Sequence, residues 1–173
     1  LGVLITITLV MAQLSPFFFT LGNLLDTSRY FVEIGLIALG MTLIIITAGI
    51  DLSVGAGLAL VSVAVGFSFA AGLPLPLALV LGLLTGLGAG LFNGLFITRL
   101  DLHPLVVTLG TFALFRGLAY GLSDADAVSN NPAWFAYFGQ AYLGPIPGQL
   151  ILFVVAVIVV WIVLSRTSFG RYV

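Results

Sequence analysis

The sequence has 173 residues, of which 61% are hydrophobic and 6% are charged, and its formal net charge is −1. Soluble domains carry about 25% charged residues, so this composition excludes an ordinary soluble fold and indicates a chain surrounded largely by lipid. The sequence has no lysine to attract nucleic acid and no cysteine for disulfides or thiolate metal sites, and its single histidine argues against a metal centre.

Charged residues mark the ends of the predicted membrane spans, because a charge at the bilayer centre costs about 2.5 to 3.5 kcal/mol. The first apolar run predicts a helix over residues 1–19. Asn23 followed by Asp26 then predicts the start of a short interfacial helix. The next apolar run predicts a second span over residues 34–50.

The stretch between Asp51 and Arg99 carries no charge and is long enough for two spans. Its glycine and proline residues at 72–76 predict the turn between them. We therefore expect the third span over residues 52–71 and the fourth over 75–98.

The fifth predicted span covers residues 105–122 and contains Arg116, and the sixth covers 149–164. The segment between them predicts an interfacial loop, since it combines acids, asparagines and prolines with the aromatic residues Trp134, Phe135, Tyr137, Phe138 and Tyr142. The sequence thus predicts an all-α polytopic transmembrane helix bundle, with about six spans in one domain over residues 1–173. We expect this chain to be a piece of a longer protein, truncated at both ends.

The arginines predict the orientation, because loops on the cytoplasmic side are enriched in Lys and Arg near the helix ends. With six spans, Arg99, Arg166 and Arg171 share one side, and Arg29 lies on the other. The side with three arginines is therefore expected to be cytoplasmic.

Glycines recur every fourth residue along the fourth predicted span, at Gly82, Gly86, Gly90 and Gly94. Such a ridge lets another helix approach closely, so the pattern predicts helix packing, with a moving hinge as the alternative. Asn93 lies beside the ridge. A polar amide in lipid turns towards other helices or a water-filled cavity, so Asn93 is expected either to form a structural hydrogen bond or to line a pore.

Asp51 lies between two apolar spans and is flanked by glycines at 49, 55 and 57. One interpretation is that Asp51 or Ser53 caps the third span by accepting free backbone N–H groups. Another is that a helix break at membrane depth exposes backbone groups to a passing solute. The two interpretations are compatible.

Polar residues on the fifth span are the remaining candidates for a solute path. Thr108 and Thr111 share a helix face, where each hydroxyl can bond back to its own helix or face the path. Arg116 is expected either to extend to the interface beside Tyr120 or to face the pore. His103 is expected to be a loop residue.

Five segments of the sequence form a recognisable set: Ala-Gly-Ile-Asp-Leu-Ser-Val-Gly (48–55), Leu-Phe-Asn-Gly-Leu (91–95), Leu-Val-Val-Thr-Leu-Gly-Thr (105–111), Arg-Gly-Leu-Ala (116–119) and Arg-Thr-Ser-Phe-Gly-Arg (166–171). Together they resemble the inner-membrane permeases of bacterial ribose-type ABC importers, within the broader superfamily of branched-chain amino-acid and sugar permeases. Their order and spacing match along essentially the whole chain.

This resemblance implies a multi-pass inner-membrane permease subunit that moves a monosaccharide and is not itself an enzyme. The implied partners are a second permease subunit, cytoplasmic ATP-binding subunits and a periplasmic sugar-binding protein. Phe169, Gly170 and Arg171 would lead into the loop that couples to the ATPase. No cofactor is expected, and without lysine the chain cannot build a phosphate-binding Walker loop.

Two other transport functions compete with sugar import by an ABC transporter. A branched-chain amino-acid permease would have a similar fold and similar partners. An ion-coupled secondary transporter would use acids inside the membrane, whereas every acid except Asp51 lies in a predicted connection or at the edge of a span.

Overall fold

The computed structural model describes residues 1–124, 126 and 140–172. Within these residues, a two-stranded antiparallel hairpin, β1 (Tyr142–Leu143) and β2 (Ile146–Pro147), precedes the last long helix. The described α-helices are α1 (Gly2–Leu14), α2 (Leu21–Ile46), α3 (Val54–Ala70), α4 (Leu75–Arg99), α5 (Pro104–Ser123), α6 (Gly148–Arg166) and α7 (Ser168–Tyr172).

Four helices in the described part of the chain, α2, α4, α5 and α6, are long and apolar enough to cross a membrane. Two more apolar helices, α1 and α3, are shorter, with 13 and 17 residues. The predicted all-α polytopic fold is therefore confirmed, with six as an approximate number of spans. Large apolar side chains are exposed along these helices, as expected where the outer surface meets lipid.

The first predicted helix is shorter than expected. Residues 1–19 were predicted to be helical, but α1 ends at Leu14. Ser15 has φ −132° and ψ 118°, an extended conformation, because a residue that precedes proline is pushed out of the helical region. Pro16 therefore ends the helix before the phenylalanines that follow it.

The predicted division into a short interfacial helix and a separate helix over 34–50 is wrong, whereas a membrane span in this region stays a prediction. α2 is one helix from Leu21 to Ile46, and its interior has no proline to interrupt it. It begins before Asn23, because the capping residue is Thr20, whose Oγ1 accepts the backbone N–H of Asn23 at 3.3 Å. α3 to α6 begin and end within two residues of the predicted spans, and that each of them crosses the membrane stays a prediction.

The predicted loop before α6 is described only from residue 140 onwards, apart from residues 123, 124 and 126 at its start. Trp134, Phe135, Tyr137 and Phe138 lie outside the described residues. The hairpin that the structure shows at Tyr142–Pro147 turns at Gly144, whose φ of 65° suits a residue without a Cβ.

The chain divides into two compact units, one formed by Leu1–Gly40 with Trp134–Val173 and the other by Met41–Ala133. In the first unit, the Phe153 side chain of α6 reaches α2 at Gly35, where an added Cβ would lie 2.6 Å from Cε2 of Phe153. The hairpin also contacts α2, because the Tyr142 hydroxyl donates to the Asp26 carboxylate and Arg29 donates to that hydroxyl at 3.2 Å. Glycine at position 35 thus permits this helix packing.

In the second unit, α3 packs against both α4 and α5. The buried apolar side chains at these contacts come from all three helices: Ala56, Leu75, Ala78, Val107, Phe115 and Ala119. This packing places the start of α3 beside polar residues of α4 and α5.

Candidate functional site

The helix break, defined here as residues 47–53, separates α2 from α3. α2 ends in a Schellman motif, in which the N–H of Gly49 donates to the Ile44 carbonyl and that of Ala48 to the Ile45 carbonyl, both at 2.9 Å. Ala48 occupies the left-handed position with φ 58°, where glycine is usual. The backbone therefore leaves the helix at a defined angle.

A chain of hydrogen bonds links the helix break to α4. Asp51 Oδ1 accepts the backbone N–H of Ser53 at 2.7 Å and the Ser53 hydroxyl at 2.6 Å. Asn93 Nδ2 then donates to Ser53 Oγ at 2.9 Å. Ser53 is 3% exposed and Asn93 is 6% exposed, so the hydrogen bond between these two side chains is shielded from solvent and is stronger there than in water, whereas Asp51 is half-buried.

The predicted helix cap takes a different form in the structure. Ser53 is the N-cap residue of α3, but its side chain makes no capping hydrogen bond. Its hydroxyl donates to Asp51 instead, and Asp51 accepts the N–H of Ser53 itself rather than one inside α3. Asp51 therefore stabilises the turn before the helix.

The direction of this hydrogen-bond chain leaves one polar atom without a partner. A carboxylate only accepts hydrogen bonds, so Ser53 must donate to Asp51 and accept from the amide nitrogen of Asn93. This fixes the orientation of the Asn93 amide. Its Oδ1 is buried and has no hydrogen-bond partner among the described residues, although buried carbonyl oxygens almost always have one.

α5 also contacts the helix break, through Thr108. The Thr108 hydroxyl lies 3.1 Å from the Ile50 carbonyl oxygen and 2.9 Å from that of Pro104, and the residue is 1% exposed. Thr111 is buried too, but within the described part of the chain its hydroxyl bonds to carbonyls of α5 itself, those of Val107 and Thr108. Of the two threonines, Thr108 is the one that holds the break.

A cavity of about 450 Å³ adjoins the break, and we call it the helix-break cavity. Its volume lies within the range of small-molecule sites, about 300 to 1,000 Å³. Most of its wall is apolar, with isoleucines, glycines and Pro104. The polar side chains that line it are Thr47, Asp51, Asn93, Thr98 and Thr108.

Arg116 lines a different cavity, of about 560 Å³, together with residues from the start of α3. Its guanidinium donates to the Tyr120 hydroxyl at 3.3 Å and lies over the rings of Phe112 and Tyr120. The side chain is exposed. The structure thus pairs Arg116 with Tyr120 and does not bring it to the helix-break cavity.

The four glycines of the predicted ridge have different surroundings. A Cβ added at Gly82 would lie 2.4 Å from Val65 Cγ2, and one at Gly86 would lie 3.3 Å from Val61 Cγ2. Both valines belong to α3. Among the described residues, nothing lies within 4 Å of a Cβ added at Gly90 or Gly94. Packing at these last two positions stays a prediction.

Phe169, Gly170 and Arg171 lie in α7, which follows α6 after one residue. A Cβ added at Gly170 would lie 1.9 Å from the backbone oxygen of Leu164. A side chain at this position would therefore collide with the last turn of α6, and glycine is required there. The predicted approach of this segment to an ATPase stays a prediction.

The sequence did not single out Thr47, Thr98 or the Ile50 carbonyl, which join the predicted residues at the break. Thr47 could have been identified from the sequence, because it lies close before Gly49. Thr98 could not, since a threonine inside an apolar helix usually bonds back to carbonyls of its own helix. Within the described residues, no group of three or more His, Cys, Asp or Glu side chains could hold a metal ion.

Comparison with known proteins shows what the chain resembles. Residues 23–173 match the model of the family described as Branched-chain amino acid transport system / permease component. The chain is 39% identical to the ribose import permease protein RbsC of Bacillus subtilis (strain 168) over 170 residues. The matched residues cover 97% of this chain and 53% of that protein. No solved structure matches the chain.

Two further relatives are permeases for other solutes. The autoinducer 2 import system permease protein LsrD of Klebsiella pneumoniae is 37% identical over 178 residues, covering 99% of this chain and 54% of that protein. The galactofuranose transporter permease protein YtfT of Escherichia coli (strain K12) is 32% identical over 152 residues, covering 88% of this chain and 45% of that protein. The chain thus spans about half the length of the curated relatives it matches.

Proposed function

The chain belongs to the family of branched-chain amino acid transport system permease components, and on this premise we propose that it is part of the permease subunit of an ATP-driven importer that moves a monosaccharide. As a member of this family it is a multi-pass protein of the inner membrane. The observation that carries the sugar assignment is the 39% identity to a ribose import permease over 97% of the chain. A second relative is named for galactofuranose transport.

The architecture supports transport through helices, with ATP bound by other subunits. Buried polar residues of the apolar helices α4 and α5 hold the helix break, and such breaks are how membrane proteins expose backbone groups to a solute. The chain has no lysine, so it has no Walker loop for ATP. From the kinship with import permeases, the proposed partners are cytoplasmic ATP-binding subunits, a periplasmic sugar-binding protein and a second permease subunit, identical or homologous.

Uptake by the reconstituted full-length permease with these partners tests the proposal. Liposomes containing the complex are given ATP and radiolabelled probes, namely neutral monosaccharides that include D-ribose and D-galactose, with L-leucine as the matched alternative. We expect ATP-dependent accumulation of at least one sugar and none of leucine.

A branched-chain amino acid permease is the second candidate, because the description of the family favours it. ATP-dependent uptake of L-leucine without sugar would establish that function and contradict the sugar assignment. Sugar uptake that is driven by an ion gradient and is indifferent to ATP would instead indicate a secondary transporter.

A further inference from the structure

The helix-break cavity presents hydrogen-bond acceptors, and we propose that it binds a neutral polyhydroxyl solute through the solute's hydroxyl donors and excludes solutes that carry a carboxylate. The inference rests on the proposed function and deepens it, because it assigns the solute to a place and names the chemistry that selects it. The geometry of the lining side chains carries the argument.

The threonine hydroxyls that line the cavity already use their protons inside the protein. Thr47 donates to the Ile44 carbonyl at 2.7 Å, and Thr98 donates to the Gly94 carbonyl at 2.7 Å. Thr108 is within hydrogen-bonding distance of two carbonyls. A hydroxyl whose proton is engaged can still accept through its lone pairs, so these side chains offer acceptors to a ligand.

The other two polar side chains in the wall are acceptors as well. Asp51 has a carboxylate, of which Oδ1 is used by Ser53. Asn93 has its amide nitrogen bonded to Ser53 and its Oδ1 unpartnered among the described residues. A ligand hydroxyl that donated to this oxygen would remove the penalty of leaving it unpaired.

The chemistry of the wall selects between the two candidate solute classes. A sugar supplies several O–H donors and apolar C–H faces, which suit the acceptors and the isoleucines of the cavity. An amino acid brings a carboxylate, which needs donors or a cation. None of the described side chains lining the cavity is Arg, Lys or His, and Asp51 would repel the carboxylate.

Removal of single acceptors tests the proposal in the reconstituted full-length complex. Thr47→Val and Thr98→Val keep the shape of the side chain and remove its oxygen. With radiolabelled D-ribose or D-galactose as the probe, whichever the unmodified complex transports, each variant should lower the uptake rate about two- to tenfold, the effect of one neutral hydrogen bond. The matched control is Thr85→Val. Thr85 also lies on α4 and donates to the carbonyl four residues earlier, at 2.8 Å, but it does not line this cavity.

A binding measurement separates the site from the rest of the transport cycle. Saturation-transfer NMR on the solubilised full-length permease, without the sugar-binding protein, compares the transported sugar with L-leucine. We expect the unmodified permease to show saturation transfer to the sugar and none to L-leucine. Transfer to the sugar should be lost in the Thr47→Val/Thr98→Val double variant and retained in Thr85→Val.

Each outcome has a distinct meaning. Sugar uptake and transfer that are the same in Thr47→Val, Thr98→Val and Thr85→Val would overturn the assignment of this cavity and leave the proposed function intact. Saturation transfer to L-leucine in the unmodified permease would overturn the proposed exclusion of carboxylate-bearing solutes by a wall of hydrogen-bond acceptors. Uptake of leucine and of no sugar by the unmodified complex would overturn the proposed function, and this inference with it.

Discussion

The contact between α4 and α3 at Gly82 makes a sharp prediction about stability. Gly82 is buried, and a Cβ at this position would lie 2.4 Å from Val65 Cγ2. The optimal separation of two carbon atoms is about 3.5 Å or more, so Gly82→Ala requires a movement of about 1 Å. Valine in a helix is held in one strongly preferred rotamer, and the helices themselves must therefore separate.

The magnitude follows from a comparison with Gly88, another glycine of α4. Nothing in the described structure lies within 4 Å of a Cβ at Gly88, which is exposed. Replacing glycine by alanine favours the helix by about 1 kcal/mol at either position, so this effect cancels in the comparison. Overpacking a well-packed contact typically costs about 1 to 3 kcal/mol. Gly82→Ala should thus be less stable than Gly88→Ala by that amount.

The assay is unfolding of the full-length protein in dodecyl maltoside micelles by added sodium dodecyl sulfate, followed by circular dichroism. We expect the Gly82→Ala transition at an equal or lower detergent fraction than the wild type, and the Gly88→Ala transition at a higher one. Equal stability of the two variants would refute the close packing of α3 on α4 at this glycine.

Three further predictions follow from single contacts. Ala48→Gly should stabilise the protein by about 1 kcal/mol in the same detergent titration, because alanine at φ 58° carries a Cβ penalty that glycine lacks; a destabilised variant would contradict the left-handed turn. Tyr142→Phe removes the hydroxyl that joins Asp26 to Arg29 and should lower the free energy of unfolding by about 1 kcal/mol. Tyr30→Phe is the control, and equal stability of the two variants would show that these hydrogen bonds do not stabilise the protein. Gly170→Ala should displace α7, because its Cβ would lie 1.9 Å from a backbone oxygen, and should uncouple ATP hydrolysis from sugar uptake in liposomes; unchanged coupling would remove α7 from the coupling segment.

The long helices could be predicted because two local signals coincide there. Charged residues and Gly/Pro turns bound the apolar runs of α3, α4, α5 and α6, and these helices begin and end close to the predicted residues. The prediction failed at α2, where Asn23 and the charged Asp26 suggested the start of a separate interfacial helix. Charges do not interrupt a backbone that has no proline and is capped by Thr20, so the helix continues through them.

The residues of the site were predictable as candidates, but their connections were not. Asp51, Ser53, Asn93 and Thr108 stand out as polar groups in apolar surroundings, and the structure brings all four to the helix break. The pairing of Asn93 with Ser53, 40 residues away, depends on how α4 packs against α3. The separation of Arg116 from this group depends on tertiary packing in the same way.

We propose that the polar chain at the helix break belongs to the transport machinery of a sugar permease. Asparagine at position 51 retains the oxygen that accepts both hydrogen bonds from Ser53 but loses the charge, whereas alanine loses both bonds. Loss of a hydrogen bond costs about 0.5 to 1.5 kcal/mol of local stability. Asn and Ala variants of Asp51 thus separate the role of the charge from that of the turn.

The most direct test is the number of sugar molecules moved per ATP hydrolysed by the reconstituted full-length complex carrying Asp51→Asn or Asp51→Ala. We expect Asp51→Asn to assemble normally and to move sugar at a reduced but measurable ratio while ATP hydrolysis continues. Asp51→Ala should assemble less well and move less sugar still. A wild-type ratio and wild-type assembly in Asp51→Ala would contradict the account, since neither the charge nor the turn at the helix break would then be needed for transport.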